Sequence, residues 1–434
     1  MSRKLKVVMV NCWHDSNKGD AAIILGTLRA LSDAADCQFT LVSSIRSHSQ
    51  EEREYILRHV HSEFPESVLL SPDLPPVFRS STGVHLLAAF GHAFLKMVLG
   101  RAVSSNNVEQ AIDTADLIIS KGGQYLSFPK NARLPFLHML VFAYPMLYAL
   151  RIGKRGVYYA HSIGPLHSLR LRWLMRFLGN QSEACLLRET FSRDLLRELK
   201  VDESKIDVVA DAAWTARIAP EIPEVLARNG LQQGNFVAIS ARDLHVTDHG
   251  EATAKQYVLS LVAAICWLVE ERGLKVALVA HTQGPTPDED DRIASHRIHE
   301  LLPDKIKGMV KVVDDDLSPA EIAALYGSSR LLVGTRFHAL VLAMAAGTPV
   351  VAIPYFGHKT TGSFHDIGIQ DYLIPMGELT PERLIAKISE RLALGNSERD
   401  YFAAIAERMK SEALQTAKKL IARSQERIPS PVER

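Results

Sequence analysis

The stretch from Arg330 to Val351 restricts the fold more than any other part of the chain. Leu331–Val333 is a short apolar strand, Gly334 a turn, and Phe337, Leu340, Val341 and Met344 recur at the spacing of one helix face. Gly347 stops that helix and a second strand starts at Pro349. The pattern predicts one βαβ unit of a parallel sheet. In such sheets ligands bind beyond the carboxyl ends of strands, where helix N-termini present free N–H groups. Arg336 and His338 stand at that junction. On extended backbone they share one face, with Phe337 turned inward.

The same alternation runs through the whole chain. Strands are expected at Leu5–Val10, Phe39–Val42, Leu117–Ser120, Val157–Ala160, Ala184–Leu187 and Ile206–Val209, with helical segments between them. A segment punctuated by Pro220, Pro223, Gly230 and Gly234 then marks a boundary. A second series follows, with strands at Phe236–Ser240, Val276–Ala280 and Val310–Val313 leading to the opening unit. The expected fold class is α/β, two Rossmann-like doubly wound parallel-sheet domains. Their expected extents are 1–215 and 216–395, with a C-terminal amphipathic helix and tail at 396–434. One side of that helix carries Phe402, Ile405, Met409, Ala413, Ala417 and Leu420.

Composition removes several function classes. A chain of 434 residues needs more than one core. Its net charge of +1 leaves no general electrostatic footprint for nucleic acid, so anion binding must be local. Cys12, Cys37, Cys185 and Cys266 are scattered without metal-ligand spacing, which suits small core residues in a reducing compartment. The first residues read as a strand and lack a signal h-region, so a cytoplasmic location is expected. Leu134–Leu150 is apolar but too short for a membrane span and contains His138 and Pro145. Val84–Leu99, with His85, His92 and Lys96, is read as a helix packing on the sheet in preference to a membrane surface.

Several strand ends carry polar clusters: Lys121-Gly122-Gly123-Gln124, His161-Ser162, Arg188-Glu189, Arg242-Asp243 and His281-Thr282. Gly19-Asp20 opens the first helix, with Asp20 either its N-cap or a ligand contact. The acidic run Asp314–Asp316 precedes Ser318-Pro319 and the run Asp288–Asp291 follows Thr286-Pro287, both helix starts with a Ser or Thr cap and Pro in the first turn. Helix capping explains them better than a metal site, and no metal is expected. The helix from Leu169 to Leu178 is basic through Arg170, Arg172 and Arg176, a solvated face or one turned to an anionic leaflet.

Taken in order, Gly19-Asp20-Ala21-Ala22-Ile23, Lys121-Gly122-Gly123, His161-Ser162-Ile163-Gly164-Pro165, Leu187-Arg188-Glu189 with Ser192, Asp211-Ala212-Ala213-Trp214, Gly334-Thr335-Arg336-Phe337-His338, and Tyr355 with His358-Lys359 form a set that resembles the polysaccharide pyruvyl transferases. The likeness is to the branch acting on colanic-acid-type exopolysaccharides and runs from about residue 5 to residue 370. It implies a GT-B-like fold. It also implies transfer of a pyruvyl group from phosphoenolpyruvate to two hydroxyls of one sugar, giving a cyclic ketal and phosphate.

On that resemblance Arg336 meets the donor carboxylate or phosphate, Lys359 the phosphate, and His338 moves the proton, with Arg242, Gly334 and Thr335 on the donor side. Gly19, Asp20, Gly122, Gly123, His161, Ser162 and Arg188 are the acceptor candidates, with Asp20 a possible second base. Arg188 and Arg242 serve either as ligand cations or as structural ion-pair members, and Asp211 with Trp214 either stacks a sugar or anchors a domain junction. The expected partners are phosphoenolpyruvate and a sugar or polysaccharide repeat-unit acceptor, free or lipid-linked, with no cofactor, no nucleic acid and at most peripheral membrane contact. The competing readings are a nucleotide-sugar glycosyltransferase on the same scaffold and a non-catalytic sugar-binding protein.

Overall fold

The computed structural model describes residues 3–72, 91, 107–128, 130, 134–244 and 250–426. The chain divides into two compact units. The first comprises Met1–Asp15, Ile23–Ala212 and Glu412–Arg434, and the second Ser16–Ala22 and Ala213–Ser411.

The first unit is built on β1 (Leu5–Cys12), β2 (Cys37–Ser43), β3 (Val68–Leu70), β4 (Leu117–Ser120), β5 (Gly123–Leu126), β6 (Val157–Ile163), β7 (Ala184–Leu187) and β8 (Ile206–Val208). They form a parallel sheet in the order β3-β2-β1-β4-β6-β7-β8, with β5 also paired to β6. Helices cover such a sheet on both sides, so its strands are near-continuous apolar runs, as in Val7–Val10. The helix Pro135–Arg151 contributes Met139, Ala143, Met146 and Ala149 to the core, with Pro145 inside it. The apolar run read as too short for a span is thus a core helix.

Two strands escape the sequence pattern. β3 is only three residues long. β5 begins inside the expected Lys121–Gln124 turn, because the chain steps at Lys121-Gly122 and resumes pairing along β6. A Cβ on Gly122 would stand 2.8 Å from the carbonyl oxygens of Tyr159 and Ala160. The two glycines therefore let the backbone press against β6, with Gly123 at φ +148°.

The second unit carries β9 (Phe236–Ser240), β10 (Lys275–Val279), β11 (Val310–Val313), β12 (Leu332–Gly334) and β13 (Val350–Ala352), parallel in the order β11-β10-β9-β12-β13. The strand order reverses direction between β9 and β12, which places a crevice at the ends of those two strands. The helix Glu251–Glu270 is, among the described residues, the one helix long and apolar enough to cross a membrane. Its Ala254, Tyr257, Leu261, Ala264, Ile265 and Leu268 lie in the core of this unit. The helix Asn396–Glu426 buries Phe402, Ile405, Met409, Ala413, Ala417 and Leu420, the expected face. The segment Val84–Leu99 falls outside the described residues apart from Gly91.

Candidate active site

The chemistry of the second unit gathers where β9 and β12 end. Thr335 follows β12, and its N–H donates to the Ser240 carbonyl of β9. Its hydroxyl is 2.8 Å from the Tyr257 hydroxyl, which also accepts the Arg242 N–H. Gly334 is held by packing, since a Cβ there would sit 2.6 Å from Leu340. Arg336 is the cap residue of the helix Phe337–Ala345, and its extended backbone turns the side chain out of the sheet.

Arg336 is buried and grips Asp291 in a two-pronged ion pair, Nη2 to Oδ1 at 2.6 Å and Nε to both oxygens at 3.0 and 3.1 Å. Burial pushes the Asp291 carboxyl up against the pull of Arg336. Burial also opposes the Arg336 charge, but Asp291 overcomes it and the guanidinium stays protonated. This corrects two expectations. The fork assigned to a ligand anion spends its Nε and Nη2 edge on Asp291, leaving Nη1 for another acceptor. Asp291, read as a helix-start acid, is that fork's partner, and Asp290 caps the helix Asp291–Glu300 instead. The cap of the other acidic run is as expected, a reciprocal Ser318–Glu321 box.

Beside Arg336 stand two more cations on one phenol. Arg242 Nη1 donates to the Tyr355 hydroxyl at 2.8 Å, and the Lys359 ammonium is 5.4 Å from the Tyr355 ring centroid. Burial opposes ionisation of Tyr355, yet the charges of Arg242, Lys359 and Arg336 prevail and bring its pKa down to about 7. Arg242, Arg336 and Lys359 are thus one electrostatic cluster around Tyr355, a residue quoted for the resemblance but given no role in it. Its titration has a definite sign. An unfolded tyrosine keeps its proton to about 10, so this site adds stability as pH rises from about 7 towards 10, and that gain is lost as pH falls through 7. Tyr355→Phe is expected to flatten this rise, measured as unfolding free energy against pH. The wild type should also show one tyrosinate absorbance step near neutrality that the variant lacks.

His338 lies in the first turn of the helix Phe337–Ala345, against the start of another helix, Lys18–Ser32. A Cβ on Gly19 would come 2.5 Å from His338 Cβ and 2.6 Å from its Nδ1, so glycine is required for the imidazole to sit there. Gly19 and Asp20, expected with the acceptor side of the first domain, belong to the second unit. Backbone pairing holds them: Lys18 N–H to the His281 carbonyl, Gln283 N–H to the Ser16 carbonyl, and an Asn17–Thr282 bridge. The fully buried Lys18 also pairs with Asp316 at 2.6 Å. Asn17, not Asp20, caps the helix, its side chain accepting from the N–H groups of Gly19 and Asp20.

Buried polar atoms without a hydrogen-bond partner in this region include His281 Nε2, Thr282 Oγ1, Arg242 Nε and Ser240 Oγ. Unsatisfied buried groups are costly and call for a ligand or ordered water. His281 is held through Nδ1 by the Tyr326 hydroxyl at 3.2 Å. Burial, reinforced by His338, Arg336 and Lys18, keeps it neutral. The strand-end cluster His281-Thr282 hinted at this group. Lys18 and Tyr326 gave no signal, because only long-range pairing brings them in.

The first-unit candidates have a different character. Arg188 is buried, with Nη1 donating to Asp211 at 2.6 Å and Nε to Ser162 at 2.7 Å. Ser162 donates to Glu189, which also accepts from Ser192. Of the two roles open to Arg188, the structure displays the ion pair, and it ties Ser162 and Asp211 into the same network. Trp214 is buried. His161 is fully buried, its Nε2 shared by the Ser120 carbonyl and the Tyr125 hydroxyl at 3.1 Å each. Burial, aided by Arg188 and Lys121, lowers its pKa to about 3. The ring is neutral; its Nε2–H donates to Ser120, and the buried Nδ1 is without a hydrogen-bond partner. Asn11 joins this group through Ser120 and Tyr125.

Comparison with known proteins agrees with these features. The solved structure of Anabaena Alr3699/HepE in complex with UDP and glucose superposes with a TM-score of 0.61 at 14% identity, covering 98% of this chain and 100% of that one. The UDP-GlcNAc 2-epimerase of Methanocaldococcus jannaschii gives 0.56 at 14%, covering 90% and 93%. Both are likenesses of fold, and they place the two parallel-sheet units in the GT-B-like class. The amylovoran biosynthesis protein AmsJ of Erwinia amylovora is 24% identical over 398 residues, 89% of this chain and 91% of that protein. The sequence profile of the polysaccharide pyruvyl transferases matches residues 17–358, from the Asn17 cap to His358 beside Lys359. This chain is an enzyme and belongs to the polysaccharide pyruvyl transferase family.

Proposed function

We propose that the pyruvyl donor is phosphoenolpyruvate and that the product is a pyruvate ketal on two hydroxyls of one sugar, with inorganic phosphate released. The observation that carries this reading is the cluster of Arg242, Arg336 and Lys359 around Tyr355, next to His338. A small donor with a carboxylate and a phosphate needs several cations within a few ångströms, partly desolvated, and a proton-transfer group beside them. Arg242 and Lys359 meet its charge, and Arg336, fixed by Asp291, adds a further donor edge. The phenolate of Tyr355 holds the place of an anion until the donor arrives.

The reaction balances without another reactant. A proton reaches the methylene carbon, one sugar hydroxyl adds to the adjacent carbon and loses its proton, the second hydroxyl displaces phosphate, and phosphate carries the remaining proton. His338 moves a proton to or from the reacting atoms, and Asp20, one residue from Gly19, is the second base. Acceptor recognition is assigned to the uncharged groups Tyr125 and His161 of the first unit. The reading requires no metal or organic cofactor, since side chains supply the positive charge, and it places the enzyme in the cytoplasm, where phosphoenolpyruvate is made.

The test is incubation with oligosaccharide acceptors and either phosphoenolpyruvate or nucleotide sugars, following phosphate and acceptor mass. Phosphate release matched by an acceptor gain of one pyruvate less one water supports the reading. Gain of a hexose from a nucleotide sugar, with no change from phosphoenolpyruvate, refutes it.

A further inference from the structure

The helix Leu169–Gln181 of the first unit wears its apolar residues on the wrong side for a soluble surface. Its inner face is ordinary, with Leu171, Leu174, Met175 and Leu178 buried. Its outer face carries Leu169, Trp173 and Phe177 at i, i+4 and i+8, one stripe along the helix. Leu169 is 83% exposed and Trp173 64% exposed. The Trp173 and Phe177 rings stack at 5.9 Å and form one aromatic surface. By helical rotation Arg170 flanks this stripe on one side and Arg172 and Arg176 on the other.

The charge pattern is as unusual. The helix has no acidic residue, and Arg170 and Arg172 lie near its N-terminus, where the backbone dipole disfavours cations. Arg172 is satisfied by Glu198 at 2.6 Å. The exposed Arg170 and Arg176 have no ion-pair partner among the described residues. Nearby, Asp194 is engaged with Arg193 and Arg197, and Glu203 with Arg197.

We infer that this face docks on an anionic lipid surface, with Leu169, Trp173 and Phe177 at the headgroup level and Arg170 and Arg176 on lipid phosphates. An exposed aromatic stripe between unpaired arginines matches the boundary of a bilayer, where Trp is favoured and cations meet negative lipid charge. The inference is independent of which donor the enzyme uses. Such docking brings the enzyme to a bilayer surface.

The experiment is co-sedimentation of the full chain with vesicles of phosphatidylcholine alone or of three parts phosphatidylcholine to one part phosphatidylglycerol. The wild type should bind the anionic vesicles at least tenfold more than the neutral ones, less so at high salt. Brominated lipid should quench its fluorescence. Leu169→Ser with Trp173→Ser, and separately Arg170→Glu with Arg176→Glu, should each cut binding at least tenfold while the unfolding temperature stays at the wild-type value. Equal binding to both vesicle types, no binding by the wild type, or full binding by both double variants overturns the inference. A wild-type dimer that Trp173→Ser converts to a monomer also overturns it, because the face would then be a contact between copies.

Discussion

His338→Ala is expected to lower turnover with phosphoenolpyruvate roughly 10²–10⁴-fold, the usual range for removing a proton-transfer group, while donor affinity changes little. The cations that meet the donor, Arg242 and Lys359, are anchored through Tyr355 and do not depend on the imidazole. A companion variant separates chemistry from placement. Gly19→Ala leaves every functional group intact but drives a methyl to 2.5 Å from His338 Cβ, so the ring must move. Turnover should fall there too, with donor affinity again near the wild type. Single-turnover rates with binding measured separately would check both. An undiminished rate in His338→Ala removes this residue from the mechanism.

Asp291→Ala is expected to be the most destabilising single change in the second unit. It leaves the Arg336 guanidinium buried without its counter-charge, which typically costs about 3–5 kcal/mol. The Thr282 N–H, which donates to Asp291 Oδ2 at 2.9 Å, loses its acceptor as well. Replacing both members of the pair by apolar residues of similar size, Asp291→Leu with Arg336→Met, should recover much of that stability without restoring turnover. Urea unfolding of the three proteins measures the difference. If Asp291→Ala were as stable as the wild type, the ion pair would not be the anchor of this strand end.

What the sequence made legible followed from local pattern. Apolar runs such as Val7–Val10 and Leu331–Val333 can only be buried strands when helical segments alternate with them, so both sheets were readable. The cap box at Ser318 and the buried face of the Asn396–Glu426 helix were readable for the same reason. Residue types at strand ends singled out Arg242, Arg336 and His338 as candidates, and Lys359 entered through the family resemblance. Pairing across the chain was not legible. Asp291 lies 45 residues from Arg336 and resembles any acid at a helix start. The return of Ser16–Ala22 to the second unit depends on backbone hydrogen bonds to residues 281–283, which no periodicity announces. Gly122 and Gly123 entered as acceptor candidates, and contact with β6 and a positive φ account for their being glycine. Arg188 was open between a ligand cation and an ion-pair member, and it pairs with Asp211 while Ser162 donates to Glu189.

The cation cluster of the second unit is the centre of this account, and calorimetric titration of phosphoenolpyruvate into the wild type, Arg242→Ala and Lys359→Ala examines it without relying on turnover. Each substitution should weaken binding at least about tenfold, or about 1.4 kcal/mol. Wild-type affinity in both variants would contradict it.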